Sequence, residues 1–259
     1  MTALPRPTLS SALSLVALDT VDSTNEEARR RAQDGAADGT VVWAKAQTSG
    51  RGRRGRKWVS EPGNLYCSII VRPHYPASVA MQLSFVAATA VASGIRRFLP
   101  AHCQVTCKWP NDVLVEGRKV AGLLLESAAQ GPDSLDWLVV GIGINLEHFP
   151  DDAAYPATCL RREGAGPGTT VEDLLVTVCN RFQTGLVMWR NLGFAPVRRD
   201  WMRRAHGMGA PIIVRLANST LEGTFHTLDA DGALILRQPD GDRRITAGDV
   251  FYAPAAAPA

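Results

Sequence analysis

Apolar and polar positions alternate in several short blocks along the first two thirds of the chain. Residues 14–20 and 39–46 read as strands, and Leu65 to Val71 is a third, rich in apolar and β-branched side chains. Between the first two, Ser23-Thr24-Asn25-Glu26 has the spacing of a capping box, with Ser23 as N-cap and Glu26 three residues on, which predicts a helix over 24–32. From Ala80 to Leu99 an alanine-rich pattern at helical spacing predicts a largely buried helix, weakened near its end by Ser93 and Gly94. Strands are expected at about 104–108, 112–116, 119–126 and 136–144, with Glu116-Gly117-Arg118 as a hairpin turn. Thr170 opens a long helix through about Arg190, on which Leu174, Leu175, Val178, Phe182 and Trp189 share one side.

Past Gly207 the pattern changes to short strands at 212–216, 221–227, 233–237 and 244–246, separated by turns that include Asp231-Gly232 and Asp240-Gly241. Helices interspersed among grouped strands predict an α+β domain over 1–206, followed by a small β-barrel over 207–259. The Ala-Pro run at 253–259 lacks material for a core and is expected to be disordered.

Composition sets outer bounds. A chain of 259 residues, 46% hydrophobic and 20% charged, is long enough to bury a substantial core. No apolar run is expected to reach the ~20 residues needed to span a membrane. The N-terminus lacks the pattern of a signal peptide, and a cytoplasmic protein without a membrane partner is expected. Cys67, Cys103, Cys107, Cys159 and Cys179 are odd in number, contain no C-x-x-C pair and are expected to be reduced thiols. Cys103 and Cys107 lack the further ligands of a zinc set, and His74, His102, His148, His206 and His226 are scattered singly.

Charge changes this picture at one place. The formal net charge is +3, yet residues 50–57 alone carry five cations, so the remainder nets −2. Gly50, Gly52 and Gly55 punctuate the run and match G-x-G-x-x-G, but a dinucleotide fingerprint needs a helix to begin there. Pro62, Gly63 and then a strand follow instead. A nucleic-acid patch is a second reading, though only Trp58 is near enough to stack on a base. A solvated basic turn is a third. The fourth is a mobile loop that closes over a small phosphorylated ligand.

Other polar or glycine-marked segments support the fourth reading: Asp22-Ser23-Thr24-Asn25, Lys108-Trp109-Pro110-Asn111-Asp112, Arg118-Lys119-Val120-Ala121-Gly122 and Gly141-Ile142-Gly143-Ile144-Asn145. Together with Gln47-Thr48-Ser49-Gly50-Arg51-Gly52-Arg53-Arg54-Gly55-Arg56-Lys57-Trp58, and in this order, they resemble the biotin protein ligases. The resemblance implies a catalytic domain like that of class II aminoacyl-tRNA synthetases and a C-terminal SH3-like barrel. It implies ATP-dependent formation of biotinyl-5′-AMP, then transfer to a lysine of a biotin carboxyl carrier domain, with Mg²⁺ as cofactor and no protein metal ligand identified.

By the same resemblance, Ser23, Thr24 and Gln47 pair with the biotin ureido ring, Arg51, Gly52 and Arg53 form the wall over biotin and its carboxyl end, Asn25 and Gly50 also belong to the biotin site, and Gly122, Gly141 and Gly143 let the backbone approach the bicyclic ring and valeryl chain. Arg56, Lys57, Trp58, Asn111, Asp112 and Asn145 fall on the ATP side. Lys119, Arg53 and Asp112 form the catalytic set, with Lys119 on the bridging carboxyl and phosphoryl oxygens and Asp112 on either Mg²⁺ or the incoming lysine. Only 21 residues precede Asp22, which resembles the ligase-only members and implies no sequence-specific nucleic-acid partner. A homodimer is left open. The alternatives are a lipoate protein ligase, or a nucleic-acid-binding protein with a vestigial ligase fold.

Overall fold

A computed structural model describes residues 8–73, 75–131, 134–150 and 155–252; His74 and the tail at 253–259 lie outside them. A seven-stranded sheet forms the larger part, built from β1 (Ser14–Val21), β2 (Thr40–Gln47), β3 (Leu65–Val71), β4 (Val105–Lys108), β5 (Asp112–Val115), β6 (Arg118–Gly131) and β7 (Ser134–Ile144). The strand order is β1-β2-β3-β7-β6-β5-β4. Only β1 and β2 run parallel, because the helix α1 (Thr24–Gln33) crosses between them. The neighbours from β2 to β4 are antiparallel, and the hairpin at Glu116-Gly117 turns through positive φ of 48° and 73°.

The two faces of this sheet differ. Val41, Cys67, Ile69, Val113, Ala121, Val140 and Ile142 point to the face covered by α3 (Leu83–Ile95) and α4 (Val171–Leu192), where the main core lies. The alternate positions Val42, Ile70, Trp137 and Val139 meet Ala28 and Ala32 of α1 on the other face. Past the end of α1 that second face carries Tyr66, Gly122, Gly143 and Asp112, and it stays open.

The helix expected over 80–99 is interrupted. A single turn, α2 (Ala77–Ala80), precedes α3, and a 3₁₀ turn, Arg96–Phe98, follows it. Contrary to the composition-based expectation, Ala77–Phe98 is apolar and long enough to cross a membrane by length and composition, but 72% of its 18-residue apolar stretch is buried inside the protein. It is a core element. Its contact with α4 is tight at Gly94, where an added Cβ would lie 3.1 Å from Val178 Cγ2.

Two elements escaped the sequence pattern. Helix α5 (Phe194–Arg203) follows α4 after Gly193, and β12 (Asp249–Tyr252) closes the second sheet. That sheet joins β8 (Pro211–Arg215), β9 (Thr220–Leu228), β10 (Leu234–Gln238), β11 (Gly241–Ile245) and β12 in the order β11-β10-β9-β8-β12, antiparallel throughout. It docks on the larger sheet's helices. Trp109 Nε1 donates to Gly232 O at 3.1 Å, Arg198 of α5 donates to Leu228 O at 3.0 Å, and an added Cβ at Gly232 would lie 2.7 Å from the Phe85 ring of α3.

The capping box at α1 is not formed. Ser23 occupies the N-cap position without a side-chain cap bond, and the Glu26 carboxylate turns to Arg29 and Arg51. Gln47 Oε1 accepts the Thr24 amide at 2.7 Å, and Asp22 Oδ1 accepts that of Ser23 at 2.7 Å. A capping box does form at α4, between Thr170 and Asp173. All five cysteines are buried and free, and no group of three or more His, Cys, Asp or Glu capable of holding a metal exists among the described residues.

Candidate active site

The open face of the larger sheet is the floor of a cavity of about 440 Å³. A cross-strand row runs along it: Lys108 pairs with Asp112, Asp112 with Gly122, Gly122 with Gly143 and Gly143 with Tyr66. Two residues along each strand, on the same face, lies a second row of Leu124, Gly141 and Ser68. The first row leads to the charged end of the cavity and the second to its neutral end.

At the neutral end the side-chain amides of Gln47 and Asn25 are each held by protein partners. Thr24 donates through its hydroxyl to Gln47 Oε1 at 3.1 Å, and Gln47 Nε2 donates to Ser60 Oγ at 2.8 Å. Ser68, fully buried, lies within hydrogen-bonding distance of Thr24 Oγ1 (2.8 Å) and Asn25 Oδ1 (2.6 Å). Asn25 Nδ2 donates to Glu126 Oε2 at 2.6 Å. Ser23, released from capping, borders the cavity with no partner for its hydroxyl among the described residues.

At the charged end, Asp112 sits between two ammonium groups. Lys119 Nζ makes an ion-pair contact with Asp112 Oδ1 at 2.5 Å, and this buried oxygen has no hydrogen-bond donor among the described residues. Lys108 Nζ lies 3.7 Å from Asp112 Oδ2 and 3.9 Å above the Tyr155 ring. Burial pushes the Lys108 ammonium below the ordinary lysine range, partly opposed by Asp112. Lys119 reaches this place because of a bulge: β5 and β6 shift register between Val113 and Leu114, leaving Val120 unpaired, and the extra residue moves Lys119 to the same face as Asp112 and Gly122.

The basic loop closes over the cavity as an irregular hairpin. Gly52 N donates to Arg56 O at 2.7 Å and Trp58 N to Gly50 O at 2.9 Å, while Arg54 and Gly55 turn the chain through positive φ of 55° and 71°. Its four arginines find carboxylates within the protein. Arg51 pairs with Glu26 at 2.5 Å, and Asp249, at the start of β12, takes Arg53 at 3.7 Å, Arg54 at 3.2 Å and Arg56. Arg53 also donates to Asn111 Oδ1 at 3.2 Å and to Gly248 O at 3.3 Å. Burial pulls the Arg53 guanidinium down from its ordinary pKa, with Asp249 opposing.

Every candidate site residue except Gly50 borders this cavity. Gly50 is a packing glycine instead, since an added Cβ would sit 2.4 Å from both Ser60 Oγ and Trp58 O. The three floor glycines make room for protein side chains in this state. A Cβ at Gly141 would lie 2.2 Å from Asn25 Oδ1, and Cβ atoms at Gly143 and Gly122 would lie 2.7 and 3.0 Å from the Trp58 indole. Asn145 is buried, its amide committed to Thr158 O at 3.0 Å. Arg118 belongs elsewhere, forked onto Glu163.

Sequence reasoning missed Lys108 as a site residue, although it had singled out the segment, and it missed Ser68, Tyr155, Asp249 and Phe251. Ser68 carried one signal, a hydroxyl residue in an otherwise apolar strand. The last three carried none, because they come from a loop and from the strand that the pattern did not predict.

The donor set does not suit a Mg²⁺ ion held by the protein alone. Such an ion takes carboxylate or phosphate oxygens, whereas both oxygens of Asp112 face ammonium groups and Asp249 is taken by three arginines.

Residues 17–145 match the biotin/lipoate A/B protein ligase family and residues 207–252 the biotin protein ligase C-terminal domain. The biotin--[acetyl-CoA-carboxylase] ligase of Paracoccus denitrificans is 41% identical over 244 residues, covering 89% of this chain and 97% of that protein. The Mycobacterium tuberculosis ligase of the same name is 30% identical, covering 89% and 85%. A biotin protein ligase from Aquifex aeolicus, solved with biotin and ATP, superposes with a TM-score of 0.78 at 27% identity over 92% of this chain and 99% of that one. The chain therefore belongs to the biotin/lipoate A/B protein ligase family, with the C-terminal domain of its biotin-specific branch.

Proposed function

We propose that this protein activates biotin with ATP to biotinyl-5′-AMP and transfers the biotinyl group to a lysine of a biotin carboxyl carrier domain. The observation that carries the reading is the two-ended cavity, neutral and hydrogen-bonding at one end and cationic at the other. A ureido ring is neutral and needs donors and acceptors, which Ser23, Thr24 and Gln47 offer. A carboxylate meeting a triphosphate needs fixed positive charge, which Lys119, Arg53, Arg56 and Lys57 offer.

In the first step a biotin carboxylate oxygen attacks the α-phosphorus. The bond to the bridging oxygen breaks and pyrophosphate leaves with the electron pair. Lys119, on the bulge, is the cation best placed for the oxygens between carboxyl and phosphate; Arg53 closes over them from the loop. Asn111 and Trp58 are assigned to the nucleotide side, Trp58 as an apolar wall and Asn111 as the residue that ties Arg53 to the floor. Mg²⁺, when it accompanies the nucleotide, supplies charge neutralisation on the phosphates. The closed loop keeps water from the mixed anhydride, which would otherwise hydrolyse.

Lipoate is the competing substrate within the family. Its dithiolane is apolar and would leave the Ser23 hydroxyl, which has no partner among the described residues, unpaired at about 1 to 3 kcal/mol, which favours biotin. ATP–pyrophosphate exchange, run separately with biotin and with lipoate, tests the reading. Exchange with biotin and not lipoate is expected; exchange driven by lipoate alone would overturn it.

A further inference from the structure

We infer that Lys108 is the counter-ion that holds Asp112 in place for the transfer step, after Lys119 has moved its ammonium onto the substrate. The inference rests on the ligase reading above. Its starting point is a cost: Lys108 is 6% exposed, and a buried ammonium is unfavourable unless its surroundings compensate. Here the compensation is thin and one-sided. The ammonium lies over the Tyr155 ring at 3.9 Å, with Phe251 of the barrel at 5.7 Å, and among the described residues its only carboxylate neighbour at ion-pair distance is Asp112.

Position explains why such a lysine is kept. Lys108 and Asp112 are directly paired residues of β4 and β5, so the ammonium approaches Oδ2 from the sheet edge while Lys119 approaches Oδ1 from the neighbouring strand. One carboxylate thus has two counter-ions on opposite sides. They are not equivalent. Lys119 is about a quarter exposed and faces the cavity, free to turn toward an anionic ligand, whereas Lys108 borders the cavity but is buried, held over the Tyr155 ring with Phe251 beside it. When Lys119 is drawn to the carboxyl and phosphoryl oxygens, Lys108 is the cation left on Asp112.

Asp112 then presents Oδ1, the oxygen without a hydrogen-bond donor, to the acceptor amine. In the transfer, the amine nitrogen forms a bond to the biotinyl acyl carbon and the carbon–oxygen bond to phosphate breaks. AMP leaves with that electron pair, and the two protons lost by the acceptor's ammonium pass to solvent. Lys108 touches neither substrate nor reacting atoms in this scheme. It is a positioning residue, and its loss should fall on the second step more than on the first.

The test separates the steps. Biotinyl-AMP formation is followed in a single turnover without acceptor, and transfer is followed from preformed biotinyl-AMP to a carrier domain at saturating concentration. Lys108→Met is expected to slow transfer about 10²-fold, the scale of a misplaced group, while adenylate formation falls by less than about fivefold, and Lys108→Arg is expected to recover most of the transfer rate. A buried lysine with a packing role alone would lower both steps together, or neither, and either result would overturn the assignment. Thermal unfolding checks each variant, and should Lys108→Met not fold, Lys108→Gln carries the same comparison. Failure of wild-type exchange with biotin would sink the ligase reading instead, before any variant is made.

Discussion

The two ends of the cavity are built on opposite principles. At the neutral end Ser68, Asn25, Thr24 and Gln47 satisfy one another, and all come from α1 or from strands at the centre of one sheet. At the charged end the groups come from a bulge, a loop and a second domain, and charges are balanced in pairs that a ligand could rearrange: Lys119 and Lys108 on Asp112, three arginines on Asp249. The neutral end recognises a shape that does not change during the reaction, so a rigid, satisfied network suits it. The charged end must accept a polyanion, rearrange its charge and release it. Exchangeable ion pairs suit that task, because an incoming phosphate replaces a carboxylate at little cost in unpaired charge.

The largest effect expected from this contrast is at Lys119. Lys119→Met keeps much of the length and packing while removing the ammonium, and loss of such a preorganised donor costs roughly 10² to 10³ in rate, about 3 to 4 kcal/mol. Single-turnover formation of biotinyl-AMP at saturating biotin and ATP measures it. A folded variant within threefold of wild type would mean that the charged end does not act on the first step.

Ser68 probes the other end. Ser68→Ala removes the only donor to Asn25 Oδ1 among the described residues, a buried acceptor, and an unsatisfied group of that kind costs about 1 to 3 kcal/mol. The loss should appear in both thermal stability and biotin affinity, since one network serves both. A variant with unchanged melting and unchanged biotin binding would show that the neutral end is not the interlocked unit described here.

Asp249 offers a smaller effect of the opposite kind. Asp249→Asn removes the carboxylate shared by Arg53, Arg54 and Arg56, each contact being partly exposed and worth no more than about 1 kcal/mol. Global stability should change little, while hydrogen exchange in residues 50–58 should quicken several-fold in the absence of ligand and slow again with biotinyl-AMP. Unchanged exchange would leave the loop held by its own hairpin bonds rather than by the barrel.

The neutral end was largely legible in the sequence and the charged end only in part, for a physical reason. Strands β1 to β7 follow from alternation, and Ser23, Thr24 and Gln47 lie on or beside elements that alternation predicts. The bulge at Val120 is invisible to any period-two pattern, yet it turns Lys119 toward Asp112. Asp249 and Phe251 reach the cavity only through docking of the barrel, a long-range arrangement that local pattern does not encode. The loop's cations were plain, and their carboxylate partners were not. The same limit explains the false capping box at Ser23: the motif's spacing is correct, but Arg29 and Arg51 compete for Glu26 and Gln47 takes the Thr24 amide.

That false cap supplies the smallest prediction, a contrast between two helix starts. Thr170 caps α4, its side chain accepting from the Asp173 amide at 3.1 Å, so Thr170→Ala should lower stability by about 1 kcal/mol. Ser23 stands at the corresponding place before α1 but makes no cap bond. If its hydroxyl is reserved for ligand, Ser23→Ala should leave stability within about 0.5 kcal/mol of wild type, as substitutions without a structural partner do. Biotin affinity should fall instead, by the worth of one neutral hydrogen bond, about 0.5 to 1.5 kcal/mol or two- to twelve-fold. Thermal melts of both variants, with calorimetric titration of Ser23→Ala by biotin, read the two quantities separately. Loss of stability at Ser23 comparable to that at Thr170, with biotin binding intact, would return Ser23 to an ordinary cap and remove it from the neutral end of the site.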